Sequence, residues 1–166
     1  MKKIIRNLAA VFAAVALVSA FASCKSNDDD DDKKTTTPTA PAETAVEVWS
    51  GSQKIDWGES GITIDHAKFT ADFTSIRITY NATEGALKMA VCDPWTEITP
   101  ASVSEGASIA ADGAITLATG DAKTVTIKLT EAAVAGIKGQ GKDGAWGGVK
   151  IFGADTITIT KVESVK

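Results

Sequence analysis

Apolar and polar residues alternate at an interval of two along most of this chain from Val46 onward. Such alternation is typical of strands that bury one face and expose the other. Eight segments show it, and Gly, Asn, Asp and Pro punctuate the chain between them. The segments are Val46–Val48, Ile62–Ile64, Ile76–Tyr80, Leu87–Val91, Ile115–Leu117, Val125–Leu129, Val149–Ile151 and Ile157–Ile159. Eight or more short strands predict an all-β fold, and we expect an antiparallel β-sandwich.

One segment departs from the alternation. Thr130 is a favourable helix N-cap, residues 131–135 are Glu, Ala and Val, and Gly136 follows as a stop signal. We therefore predict one short helical turn near residues 130–136, lying between two strands.

The first 24 residues have the pattern of an export signal. Three basic residues lie within the first six positions, and an apolar run from Leu8 to Phe21 follows, interrupted by Ser19. The run is shorter than the roughly 20 residues that a membrane span needs. The stretch Phe21-Ala22-Ser23-Cys24 resembles the lipobox of bacterial lipoproteins, although Phe21 stands where Leu is usual. The resemblance implies a lipoprotein signal peptide at residues 1–23 and a lipid on Cys24; the alternative is an ordinary secreted protein.

Residues 24–44 contain an acidic run, two prolines and several threonines, but no large apolar side chain. Such a segment cannot bury enough surface to offset its loss of entropy, so we expect a disordered tether. The run Asp28–Asp32 resembles the acidic signals of surface-exposed lipoproteins in the Bacteroidetes. The expected location is therefore the bacterial cell envelope, at the outer membrane or the cell surface, with the lipid on Cys24 as the membrane contact.

Charge and cysteine content narrow the remaining possibilities for the domain at residues 45–166. The formal net charge of −4 offers no basic surface for nucleic acid, so we expect no nucleic-acid partner. The chain has two cysteines, Cys24 and Cys92. If Cys24 carries a lipid, Cys92 has no disulfide partner, and we expect a half-buried structural thiol there. The domain must therefore be stabilised by burial alone, and we expect a monomer.

Five stretches of residues 45–166 are informative together. They are Val48–Ser52 with Trp57, Phe73 with Ile76–Tyr80, Leu87–Val91 with Asp93–Trp95, Val125–Leu129, and Gly148–Gly153 with Ile157–Val162. In this order they resemble the small carbohydrate-binding modules attached to bacterial cellulases and related lipoproteins. The resemblance implies a jelly-roll sandwich, a polysaccharide or oligosaccharide as ligand, and a closing hairpin made by the last two segments.

Tryptophan is the residue type that best serves sugar binding, because a flat indole matches the C–H face of a sugar ring. Trp57, Trp95 and Trp146 fall on predicted loops or strand ends, where rigid sandwiches carry binding residues. Trp49 falls on the outward side of the first strand if the alternation of Val46 and Val48 continues. For each of these four tryptophans, the alternative is a structural role in which the indole is buried and packs in the core.

Two basic residues are the candidate polar partners of these indoles. Arg77 and Lys88 lie opposite the apolar side of their strands, so they face outward and can donate hydrogen bonds to sugar hydroxyls. The alternative for each is a solvated sheet face. Tyr80 shares the side of Ile76 and Ile78, so we expect it in the core.

Catalysis finds little support in this sequence. His66 is the only histidine, so neither a Ser-His-acid triad nor a metal-binding pair of histidines can be built. We therefore expect a binding protein that is not an enzyme and needs no cofactor. A structural calcium ion held by Asp155 and Glu47 is a lesser alternative, drawn from their places in the two terminal strands.

The prediction from sequence is thus an envelope lipoprotein that binds a carbohydrate non-covalently. The ligand residues would be Trp95, Trp146, Trp57, Trp49, Arg77 and Lys88. The alternative is a structural or adhesive surface lipoprotein that contacts proteins and has no sugar ligand.

Overall fold

The computed structural model describes residues 43–104, 106–139 and 147–166, and within them the alternating segments form strands. The strands are β1 (Ala45–Lys54), β2 (Ile62–Ile64), β3 (Ser75–Ala82), β4 (Ala86–Cys92), β5 (Trp95–Ile98), β6 (Ser102–Val103), β7 (Ser108–Ile109), β8 (Ile115–Thr116), β9 (Gly120–Lys128), β10 (Val149–Gly153) and β11 (Ile157–Val165). Every strand pair is antiparallel.

The strands form two sheets. The first has the order β1-β11-β3-β9-β6, and the second has the order β2-β10-β4-β8-β7, with β5 also pairing with β4. Facing sets β1-β11-β3-β9 and β2-β10-β4-β5 are the arrangement of a jelly roll. The predicted all-β sandwich is confirmed.

The core lies between the sheets, where the apolar side of each strand meets the other sheet. Ile78 and Val162, paired across β3 and β11, are fully buried, as are Ile151 of β10 and Leu87 of β4. Each such side chain contributes about 1.5–3 kcal/mol through burial. Tyr80 is also buried, as predicted, and its hydroxyl donates to the Ala118 carbonyl at 3.1 Å.

The predicted helical turn is confirmed as α1, Glu131–Ile137. The Thr130 hydroxyl accepts a hydrogen bond from the Ala133 amide at 3.3 Å, which satisfies one of the free donors of the first turn. Ile137 anchors the end of the helix in the core. The part of the chain that the structure describes contains no helix with the length and apolar character of a membrane span.

The expected closing hairpin is wrong. β10 pairs with β2 and β4, whereas β11 pairs with β1 and β3 in the other sheet. The connection between them leaves β10 at Ala154, whose amide donates to the Ala86 carbonyl at 2.9 Å. A short turn between two alternating segments fits either a hairpin or a crossing between sheets, and only the pairing partners of each strand decide which forms.

Candidate functional site

Two exposed tryptophans lie together on the outer face of the second sheet. Trp57 is 52% exposed and Trp95 is 53% exposed. Both contact Phe152: the ring centroids are 6.1 Å apart at an interplanar angle of 83° for Trp57, and 5.7 Å apart at 42° for Trp95. We call these three residues the aromatic platform. The structure thus brings two of the predicted site residues to one place.

Phe152 was missed in the sequence, and it joins the two tryptophans. Within β10, Val149 and Ile151 face the core, so Lys150 and Phe152 face outward. Phe152 is nevertheless only 8% exposed, because the indoles of the platform cover it. The sequence signal that could have identified Phe152 is an aromatic residue on the outward, otherwise polar side of a strand.

The loop that carries Trp57 is held in place by hydrogen bonds to its own backbone. The Asp56 carboxylate accepts from the amides of Gly58, at 2.7 Å, and Ser60, at 3.0 Å. These bonds, with the Gly58 amide contributing most, lower the pKa of Asp56 below its ordinary value of 3.8. The Asp56 carbonyl in turn accepts from the Gly153 amide at 3.0 Å, which ties the loop to β10 beside Phe152.

Trp95 is positioned by a tight hairpin between β4 and β5. It pairs with Cys92 across the two strands, and the turn consists of Asp93 and Pro94. The Gly147 amide donates to the Asp93 carbonyl at 3.3 Å and so joins this turn to the segment that leads into β10. Cys92 is half-buried, as expected, and burial raises the pKa of its thiol, which favours the unreactive protonated form.

Lys150 reaches both the loop that carries Trp57 and the ring of Trp95. Its ammonium donates to the Gly58 carbonyl, next to Trp57, at 3.3 Å, and lies 5.9 Å from the ring centroid of Trp95. Among the described residues no carboxylate lies within ion-pairing distance of it. An ammonium has three donors, so Lys150 can offer hydrogen bonds to a ligand on the platform.

Lys88 lies on the same outer face but is already engaged. It pairs with Phe152 across β4 and β10, and its ammonium lies 3.2 Å from both the Glu97 and the Asp112 carboxylates. Hydrogen bonding to Glu97 and Asp112 raises the pKa of Lys88. The prediction placed a hydroxyl-binding cation here, and the structure places an ion-paired lysine beside the platform.

Arg77 faces outward as predicted but belongs to the first sheet, so the structure does not bring it to the platform. Its guanidinium pairs with Glu43 and donates to the Thr126 hydroxyl at 3.4 Å. It lines a polar groove of 720 Å³ that also includes Lys161 and Glu163. Strand alternation distinguishes inward from outward but does not say which of two sheets a strand joins.

Trp49 is not on the outward side of β1, and the expectation about its side was wrong. Between the pairs Glu47–Glu163 and Trp49–Val162, β1 contains one residue more than β11. This bulge at Val48 breaks the alternation, so Trp49 shares the side of the buried Val162. Trp49 packs, half-buried, against the core and lies apart from the platform.

The remaining predicted residues do not add to the platform. Cys24 and Trp146 lie outside the described residues. Glu47 accepts a hydrogen bond from the Ser50 hydroxyl at 2.7 Å, whereas Asp155 pairs with Lys54 at the other end of β1. The two carboxylates are thus roughly 20 Å apart along the strand and cannot share one calcium ion. Within residues 43–104, 106–139 and 147–166 no cluster of three or more acidic, His or Cys side chains could hold a metal.

An apolar groove of 360 Å³ lies between β5 and α1 and contains none of the predicted site residues. Comparison of the chain with protein-family models, with curated proteins and with solved structures found no match.

Proposed function

We propose that the protein binds a carbohydrate non-covalently on the aromatic platform. The observation that carries the proposal is the pair of half-exposed indoles, Trp57 and Trp95, backed by one buried Phe152. Exposed tryptophans are costly to leave in water, and two of them on a rigid support suit a ligand with flat apolar faces. A sugar ring has such a face on its C–H side and a rim of hydroxyls.

Stacking supplies the affinity in this proposal. Covering about 80 Å² of one indole yields roughly 2 kcal/mol at about 25 cal/mol per Å². Two indoles together provide about 4 kcal/mol before the polar contacts and the loss of ligand freedom are included, which corresponds to a Kd of about 1 mM. The platform would therefore retain glycan reversibly.

Polar groups beside the platform would form hydrogen bonds with the hydroxyl groups at the rim of the sugar ring. Lys150 retains donors beside the Trp95 ring, and the Lys88–Glu97 pair lies next to Phe152. Hydroxyl groups can donate to Glu97 and accept from Lys88, so a sugar can join this pair without leaving a charge uncompensated.

We further propose that the chain is an envelope lipoprotein anchored by Cys24, as the pattern of residues 1–24 supports. The domain would then capture or hold glycan near the cell, as a binding protein without catalysis. A polysaccharide or oligosaccharide is the partner, and the lipid provides the membrane contact.

Isothermal calorimetry and affinity electrophoresis against soluble β-glucans, xylans and mannans test the binding proposal. We expect one of these classes to bind, and Trp57→Ala and Trp95→Ala each to weaken binding at least tenfold. Val46→Ala is the matched control, because Val46 is an exposed apolar residue of the first sheet. Absence of binding across the panel, or full binding by the double tryptophan variant, would refute the proposal.

A further inference from the structure

The outer edge of β5 has no strand beside it. β5 pairs with β4 in a regular register, from the pair Cys92 and Trp95 to the pair Met89 and Ile98, and no other strand of the described residues pairs with it. A strand edge presents N–H and C=O groups that another strand can bond. The longer edge strand β1 has two breaks in its register, which work against such pairing, whereas β5 has none. β5 is therefore an edge to which a further strand can add.

The backbone of Glu97 faces this open edge. The Cys92 amide donates to the Gly148 carbonyl at 3.4 Å, so Cys92 directs its backbone away from β5. Successive residues of a strand alternate in this respect, so Val91 directs its backbone towards β5, where its partner is Thr96. By the same alternation Thr96 faces β4 and Glu97 faces outward. The described chain thus leaves the N–H and C=O of Glu97 without a strand partner.

The apolar groove between β5 and α1 follows this edge. It is lined by residues 96–99 on one side and on the other by small residues of α1, namely Ala132, Ala133 and Gly136, which leave its 360 Å³ unfilled. A Cβ on Gly136 would lie 3.0 Å from Val91 Cγ2, so α1 packs tightly on β4 and fixes the groove in place. Because side chains alternate along a strand, a strand added to β5 would direct every second side chain into the groove.

Acidic side chains flank the groove. Glu97 lines it, and the Lys88 ammonium that contacts Glu97 is shared with Asp112. Asp93 and Glu131 each precede a residue that lines the groove, and neither has an ion-pair partner among the described residues. Basic residues are therefore the complementary charge for a ligand at this edge.

We propose that the apolar groove and the β5 edge together bind an extended peptide segment of a partner protein, which adds a strand to the second sheet. Its apolar side chains, at every second position, would enter the groove, and Lys or Arg residues at its ends would lie beside Asp93 and Glu131. In this mode of recognition main-chain hydrogen bonds supply affinity and the alternate side chains supply specificity. The groove contains none of the platform residues, so this inference is independent of carbohydrate binding.

The charge of the edge favours a basic peptide over a second copy of this chain. Symmetric pairing of two β5 strands would bring two Glu97 side chains, and the acids that flank them, close to each other. Like charges on adjacent strands are destabilising.

Selection of a displayed library of random peptides on the purified domain tests the proposal. We expect enriched peptides to carry apolar residues at alternate positions, next to Lys or Arg. The best peptide is then synthesised and titrated by fluorescence anisotropy, with two N-methylated forms that carry methyl groups on alternate residues in opposite phase. Only the form methylated on the N–H groups that face β5 should bind at least tenfold more weakly, because the other N–H groups face solvent.

Two pairs of variants locate the bound peptide, and urea denaturation checks that each variant folds. Ala132→Phe should fill the groove and weaken binding at least tenfold, whereas Ala135→Phe, at another exposed position of α1 outside the groove, should not. Glu97→Pro should weaken binding by removing the N–H at the open edge, where strands accept proline. Glu97→Gln is its control, because it removes the charge but keeps the N–H, and it should cost less than proline.

Three results would overturn the inference. The first is a selection that enriches no peptide, or enriches peptides without the alternating pattern. The second is a selected peptide that binds equally well in both N-methylated forms, or binds Ala132→Phe as well as it binds the parent protein. The third is dimerisation of the chain in analytical ultracentrifugation that Ala132→Phe abolishes, because a second copy would then occupy the edge. None of these results bears on the glycan proposal.

Discussion

Phe152 is the residue on which the platform depends, although we do not place it in contact with a ligand. It is 8% exposed and lies on the outer side of β10, where the rings of both Trp57 and Trp95 contact it. A binding surface built this way is preorganised, because each exposed ring has a fixed neighbour beneath it.

Phe152→Ala should therefore weaken both stability and binding. We expect a loss of about 3 kcal/mol of unfolding free energy from the deleted ring, measured by urea denaturation. We also expect both indoles to become more accessible to acrylamide quenching, because their shared support is gone. Phe152→Leu is the control, since it keeps an apolar side chain and should cost less. Unchanged quenching in the alanine variant would mean that the indoles hold their positions without Phe152.

At the scale of elements, two irregular segments determine which tryptophans lie at the site. The bulge in β1 turns Trp49 towards the core, and the loop between β1 and β2 presents Trp57 to solvent. The loop owes its shape to Asp56, whose carboxylate takes the place of a backbone acceptor for Gly58 and Ser60. The shape of the loop that carries Trp57 therefore depends in part on one side chain that can be protonated.

Asp56 makes the loop sensitive to acid in a defined direction. Because the folded pKa of Asp56 is lowered from 3.8, its contribution to stability is complete above pH 3.8 and is lost as the pH falls through the folded pKa. Asp56→Ala should loosen the loop at neutral pH and lower glycan affinity. The loosening would be seen as increased quenching of Trp57 in a background where Trp49, Trp95 and Trp146 are replaced by Phe.

Asp56→Asn is the matched control for that loop, because an amide oxygen can still accept both hydrogen bonds without titrating. It should keep the loop ordered at neutral pH and abolish the acid-dependent change in Trp57 quenching. If Asp56→Ala behaves like the parent protein at every pH, the loop does not depend on this carboxylate.

At the scale of the whole molecule, the proposal joins a sugar-binding domain to a lipid anchor. Acyl chains contribute about 0.8 kcal/mol per buried CH₂, so several chains on Cys24 would hold the protein to a bilayer against washing. The alternative, a structural or adhesive surface lipoprotein that contacts proteins, keeps the anchor and omits the glycan. The two functions differ only in whether the platform binds a glycan.

Fractionation of a bacterial host that expresses the full chain tests the anchor. We expect the parent protein in the membrane pellet after washes in high salt, and Cys24→Ser in the soluble exported fraction. Cys92→Ser is the control, because it removes the other cysteine of the chain and should stay in the pellet. A parent protein found in the soluble fraction would refute lipid anchoring without touching the sugar proposal.

The alternation of residues determined the fold class and the inner and outer sides of most strands. Ile76, Ile78 and Tyr80 are buried as their spacing predicts, and Arg77 and Lys88 face outward. These properties are local, because the pleat of a strand sets the direction of each side chain whatever the strand pairs with. The Thr130 cap of α1 is local in the same sense.

The tertiary structure alone decided which side chains meet. Trp57, Trp95 and Phe152 come from a loop, a hairpin and a late strand, and they converge because β10 pairs with β4 and not with β11. Arg77 is separated from them for the same reason, and the register of β1 against β11 turns Trp49 inward. Strand partners and bulges are set by the free energy of contacts between distant segments, which no local pattern encodes.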